Sequence, residues 1–186
     1  MTARNTAHVW GWVAKAFHWL MFLLIVGAWF AVTQHEAYPK GSDERAAFML
    51  VHKSIGLTVF FLIWWRLGWR LFGGALPTPD PAPQWQLKSA TLLHWALYAL
   101  MILMPLSGIL MSQFGGRPVP WFGLFEIPAF LPENKALAGN IKNMHEHVWW
   151  PLLLGLSVAH VAAALWHHIV MKDKTLKRML PFGKSE

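Results

Sequence analysis

The sequence predicts an all-α fold, a bundle of four membrane-spanning helices, and three observations carry that prediction. Hydrophobic residues make up 55% of the 186 positions and charged residues only 13%, about half the charged share of an average soluble domain. Four stretches are long and apolar enough to cross a bilayer, which takes about 20 residues. Thirteen tryptophans and twelve phenylalanines are present, and Trp favours the membrane interface, where its amphipathic ring sits at headgroup level.

The spans fall near 14–34, 46–72, 88–114 and 143–170. Turn-rich joints separate them: "HEAYPKGSDER", "GGALPTPDPAPQ" and the long "GGRPVPWFGLFEIPAFLPENKALAGN". Gly and Pro gather in the last two, as connections require. The chain reads as a single membrane domain, 1–186, without repeats. The first stretch is too long for the apolar core of a secretory signal, lacks a clear small-x-small exit and contains His18, so it reads as a retained span.

Basic residues set the expected orientation. With the N-terminus, second loop and C-terminus on one side, that side holds Arg4, Lys15, Arg66, Arg70, Lys88, Lys172, Lys174, Lys177, Arg178 and Lys184, against only Asp80, Asp173 and Glu186. The other side carries six basic and six acidic residues. The positive-inside rule then places both termini in the cytoplasm. The net charge of +7 belongs to those loops and membrane lipid, not to nucleic acid. No cysteine is present, which excludes disulfides, iron–sulfur clusters, thiolate metal sites and c-type haem attachment.

The last span carries five histidines within "NMHEHVWWPLLLGLSVAHVAAALWHHIV", and an imidazole in hydrocarbon is costly unless something binds it. Antiparallel spans convert sequence position into depth. His52 and His145 fall near the outer ends of their helices, and His18, His94 and His160 near the cytoplasmic ends. The fifteen residues from His145 to His160 correspond to about 22 Å of rise and leave the two roughly 60° apart around an ideal helix. His147 falls on nearly the opposite face and is the alternative to His145. Pro151 in the same helix invites a kink or bulge that changes the register.

Two tiers of paired imidazoles suit two b-type haems, each held by histidines of facing helices, with iron bound through these ligands only. Gly56, one turn after His52, and "HVAAA" after His160 leave room for a flat macrocycle. Interhelical hydrogen bonding, or a bare zinc or copper site, are the rival readings. Mid-span positions are Leu, Ile, Val, Ala, Phe or Trp with no acidic residue, which favours electron transfer over ion passage.

"FHWLMFLLIV", "HKSIG", "LHWALYALMILMPLSG" and "HVAAALWHHIVMKDKTLKRMLP" together resemble the bacterial cytochrome b561 family across nearly the whole chain. The resemblance implies a four-helix, di-haem inner-membrane cytochrome. It also implies His18 and His160 as ligands of the cytoplasmic haem, and His52 and His145 as ligands of the outer one. The family's two ligands on the last helix stand about fourteen residues apart; the extra residue here would need a bulge near Pro151, and His147 stays as the alternative. The same resemblance implies a superoxide oxidase that passes electrons to ubiquinone.

Around that scheme, His167 and His94 are the quinone or proton candidates, and Arg66 and Arg70 the haem-propionate candidates. Lys53, Arg45, Arg117, Lys142 and Lys135 are the basic residues placed to attract a superoxide anion. The rival function is a haem b subunit docked to a periplasmic dehydrogenase or hydrogenase, kept open by the apolar loop "VPWFGLFEIPAFLP".

Overall fold

The computed structural model describes residues 2–181; Lys184 and Glu186, counted above for orientation, lie outside them. Helix α1 spans Trp12–Ala37, α2 Asp43–Phe72 and α3 Gln84–Phe114. A two-stranded antiparallel hairpin follows, β1 (Val119–Trp121) and β2 (Phe125–Ile127), with Val119 opposite Ile127. Helix α4 (Lys135–Met144) runs through a π-helical turn, His145–Trp149, into α5 (Trp150–Ile169), and a short α6 (Thr175–Met179) ends the described chain.

Four helical stretches, α1, α2, α3 and Lys135–Ile169, have the length and hydropathy of membrane spans. Their side chains reflect a lipid solvent: Trp65 is 73% and Leu92 72% exposed, which no watery surface would favour.

The helices run longer than the apolar stretches that announce them, most of all the fourth, which starts at Lys135 rather than near 143. Asn134 explains the start. Its backbone is extended and its side chain accepts the Leu137 amide at 3.0 Å, which satisfies an orphan donor of the first turn. The sequence of α4, "KALAGNIKNM", is too polar to read as a span. A 35-residue helical stretch is about 52 Å long against about 30 Å of hydrocarbon, so a polar end is physically admissible.

The chain forms two compact units that divide the long helices. The terminal unit takes the chain up to Leu20, Ile63–Leu100 and the chain from Leu152 onward; the hairpin unit takes Met21–Leu62 and Met101–Pro151. In the terminal unit the N-terminal segment is sewn to the end of α2: Asn5 N–H donates to the Gly73 carbonyl at 3.2 Å, and Thr78 N–H to that of Ala7 at 2.8 Å. Gly11 is required there, because a Cβ would stand 2.2 Å from the Ala3 carbonyl oxygen.

In the hairpin unit the third connection is not a free loop. The Phe122 amide donates to Ser54 Oγ at 2.7 Å, and Trp121 Nε1 donates to Thr58 Oγ1 at 3.0 Å. Gln113, 1% exposed, grips the chain beyond the hairpin: its Nε2 donates to the Pro128 carbonyl and its Oε1 accepts the Phe130 amide, both at 3.0 Å. Phe122 has φ +48°, an uncommon left-handed state for a bulky residue that its anchors impose.

Ser54→Ala should free the Phe122 amide at a cost of about 1 kcal/mol. Hydrogen exchange at that amide should rise about fivefold, whereas unchanged protection would show that Ser54 does not hold the hairpin.

Candidate functional site: two clusters of histidines

In the hairpin unit, α2 presents His52 and the π-helical turn presents His145, with ring centroids 6.4 Å apart and planes crossing at 84°. His145 is 7% exposed; His147 is exposed. The π turn inserts one residue into the helix, which offsets the fifteen-residue separation from His160 and turns His145, not His147, into the unit.

Both rings have a defined proton. His52 Nδ1 lies 2.9 Å from the Ala28 carbonyl, which can only accept, so Nδ1 carries the hydrogen and Nε2 the lone pair. His145 Nδ1 lies 2.8 Å from Ser107 Oγ. That hydroxyl gives its own hydrogen to the Met104 carbonyl at 2.8 Å, so it accepts from the ring. Gly56 faces open space, with nothing within 4 Å of a Cβ built there.

In the terminal unit three histidines converge. His160 of α5 stands 6.1 Å, centroid to centroid, from His18 of α1 and 5.4 Å from His94 of α3. Arg66 donates to His18 Nδ1 at 3.1 Å, so here Nδ1 is the acceptor, the reverse of His52. Arg66 also lies 5.3 Å over the Tyr98 ring, and Arg70 5.2 Å over Trp95 and 5.4 Å over Tyr98, distances at which a guanidinium is attracted to an aromatic face.

Imidazole nitrogens bond transition metals at about 2.0 Å, so two rings on opposite sides of one iron have centroids about 6 Å apart. The His52–His145 and His18–His160 pairs both match that separation. The hairpin-unit pair also has two available Nε2 lone pairs and open space at Gly56. Both pairs therefore could hold a haem iron, His18 once Arg66 has turned from its Nδ1 to another acceptor. No cluster of three His, Cys, Asp or Glu disposed to hold a bare metal ion occurs among the described residues.

His167 is bonded through Nδ1 to the Asp173 carboxylate. The reversal that brings Asp173 back passes through Lys172, whose φ is +55°; Asp173 N–H then donates to the His167 carbonyl at 3.1 Å. Thr175 N–H completes the carboxylate at 2.9 Å. Beside it, Asp80 receives Arg178 at 2.8 Å and the Lys174 amide at 3.1 Å. Burial alone would raise the Asp173 carboxyl, but hydrogen bonds from His167 and Thr175 outweigh it and hold it below the usual carboxylate range.

The basic candidates separate by partner. Lys142 pairs with Glu146 at 3.7 Å and Lys135 with Glu133 at 3.3 Å. Arg45 donates to the Tyr38 carbonyl at 2.8 Å. Lys53, adjacent to His52, donates to the Pro118 carbonyl at 3.2 Å and lies close enough to Arg117 to feel its charge. The sequence reading passed over Ser107, Tyr98 and Asp173. A serine in an apolar span and an aspartate past a helix end carry no spacing signal that ties them to a distant histidine.

A multi-span helical membrane protein with paired imidazoles in its bundle defines the class of membrane haem cytochromes. The profile of prokaryotic cytochrome b561 matches residues 9–182. Cytochrome b561 homolog 2 of Escherichia coli (strain K12) is 35% identical over 193 residues, covering 100% of this chain and 97% of its own. Cytochrome b561 homolog 1 of the same organism is 33% identical over 167 residues, covering 90% and 94%. A protein named probable superoxide oxidase CybB, from Yersinia pestis, is 32% identical over 169 residues, covering 88% and 91%. The chain belongs to the prokaryotic cytochrome b561 family, whose members are membrane electron-transfer proteins that bind haem b.

The Asp173 geometry makes a pH prediction. The folded chain holds the Asp173 proton more weakly than the unfolded chain, so its ionisation stabilises the fold above the usual carboxylate range. That contribution is lost as pH falls through the depressed value. Protection factors over residues 167–175, corrected for the intrinsic pH dependence of exchange, should therefore fall on acidification in the wild type and stay flat, already low, in Asp173→Asn. Equal acid sensitivity in the two would contradict the pairing.

Proposed function

We propose that the chain is a di-haem b oxidoreductase of the inner membrane that takes electrons from superoxide on the periplasmic side and delivers them to ubiquinone. The observation that carries it is the pair of histidine separations, 6.4 and 6.1 Å, each close to that of two imidazoles sharing one iron. His52 and His145 would hold the periplasmic-side haem, and His18 and His160 the cytoplasmic-side haem. Haem b supplies a centre that accepts and releases single electrons.

The residues of the chain do the rest. Lys53 and Arg117 set a positive potential beside His52, which raises the encounter rate of a small anion. Two superoxide ions give up one electron each and leave as oxygen without needing a proton donor. Ubiquinone takes two electrons and two protons. On the cytoplasmic side, set by the excess of basic residues there, His167 donates a proton from Nε2 while Asp173 keeps Nδ1 protonated. Arg66, stacked on Tyr98, turns from His18 Nδ1 to a haem propionate, and Arg70 serves beside it. His94, 5.4 Å from His160, stands beside the same haem as a second quinone or proton residue.

A second reading, a haem b subunit docked to a periplasmic dehydrogenase or hydrogenase, draws on the exposed Phe122, Leu124, Phe125 and Phe130. Superoxide-driven ubiquinone reduction by the purified protein alone, in lipid vesicles, decides between them. Turnover supports the oxidase, and its absence in haem-loaded protein supports the docked subunit.

His52→Ala and His160→Ala should each lose about half the haem of the wild type, from opposite ends; full haem in either would overturn the ligand assignment. His167→Ala should keep all of its haem and slow quinol formation about 100-fold. An unchanged rate would remove His167 from proton delivery.

A further inference from the structure

Ser107 lies in the third span, is 7% exposed, and stands where a polar side chain has no packing advantage. Its neighbourhood is built for one purpose. Pro105, inside α3, has no amide hydrogen and so interrupts the helix ladder just before it. Ser107 Oγ gives its hydrogen to the Met104 carbonyl at 2.8 Å and accepts from His145 Nδ1 at 2.8 Å. Gly108, the next residue, clears the ring's path: a Cβ there would meet His145 Cε1 at 3.3 Å. His52, across the pair, gives its Nδ1 hydrogen to a backbone carbonyl instead, an acceptor that no substitution removes.

We infer that Ser107 is a positioning residue for His145: its hydroxyl fixes the Nδ1–H tautomer, leaves the Nε2 lone pair for the metal, and lowers the reduction potential of the haem that His145 holds. This rests on the ligand reading above. A hydrogen bond from the distal ring nitrogen raises the basicity of the ligating one, and a more basic ligand favours the oxidised iron, which carries the higher charge. The potential of the electron-entry haem is thereby set from α3, a helix that supplies neither of its ligands.

The test compares Ser107→Val with Ser107→Thr in the haem-loaded protein, since the two replacements share a shape and differ in the hydroxyl. Redox titration should show a reduced-to-oxidised ratio for the His52–His145 haem about threefold higher in the Val variant at the same applied potential. That is a shift of about 30 mV at 59 mV per decade, with the other haem unmoved. Loss of that haem from the Val variant alone would support the same role, since outer-shell partners commonly contribute 10–100-fold to metal-group affinity. Identical titrations would overturn it. If both variants lose the haem, nitrogen-15 spectra of histidine-labelled apoprotein decide: the Thr variant should keep a hydrogen-bonded Nδ1–H at His145 and the Val variant should not, while identical His145 tautomers would overturn the inference. His145→Ala separates the two claims: full haem in that variant would sink the ligand reading, whereas haem loss with matching Val and Thr titrations would sink only the role of Ser107.

Discussion

An imidazole inside a bilayer needs a partner at each ring nitrogen, because hydrocarbon offers none. Much of this chain's polar architecture follows from that requirement. The Ala28 carbonyl and the Ser107 hydroxyl each take the Nδ1 hydrogen of a histidine and leave Nε2 for a metal, whereas the Arg66 guanidinium donates to Nδ1 of His18. Buried polar side chains are few and concentrate where histidines or the hairpin must be held: Ser54, Ser107, Ser112 and Gln113 in the hairpin unit. Elsewhere the helices show the bilayer leucine, phenylalanine and tryptophan, at little cost.

The two clusters meet the same requirement with opposite chemistry. In the hairpin unit, neutral acceptors fix the ring hydrogens on Nδ1, and a ligand nitrogen is ready on each side. In the terminal unit, a cation donates to His18, and aromatic faces at Tyr98 and Trp95 hold the two arginines. A guanidinium so placed can exchange one partner for another without leaving its aromatic bed. The hairpin pinned on Ser54 and Thr58 keeps Trp121 and Phe122 against α2 a few residues from His52, so the third connection belongs to the site and is not merely a link.

Four long apolar helices and the sorting of the histidines, His52 with His145 and His18 and His94 with His160, were legible in the sequence, because both follow from runs of apolar residues and from counting along antiparallel helices. The register of the last helix was legible only in part. Fifteen residues between His145 and His160 pointed to a bulge near Pro151; the π turn occupies His145–Trp149, just before that proline. The start of α4 was hidden because "KALAGNIKNM" is polar and Asn134 caps it locally. Ser107 and Asp173 were illegible, since each acts on a histidine through a contact that folding alone creates, 38 residues away in one case and around a left-handed turn in the other.

Family membership fixes haem b and membrane electron transfer; the number of haems is the claim on which the paired-histidine account stands. Haem content per chain, from the pyridine haemochrome of purified, detergent-solubilised protein made with ample haem, tests it most directly. The account predicts two haems b per chain. One haem would leave a histidine pair without its partner and contradict it.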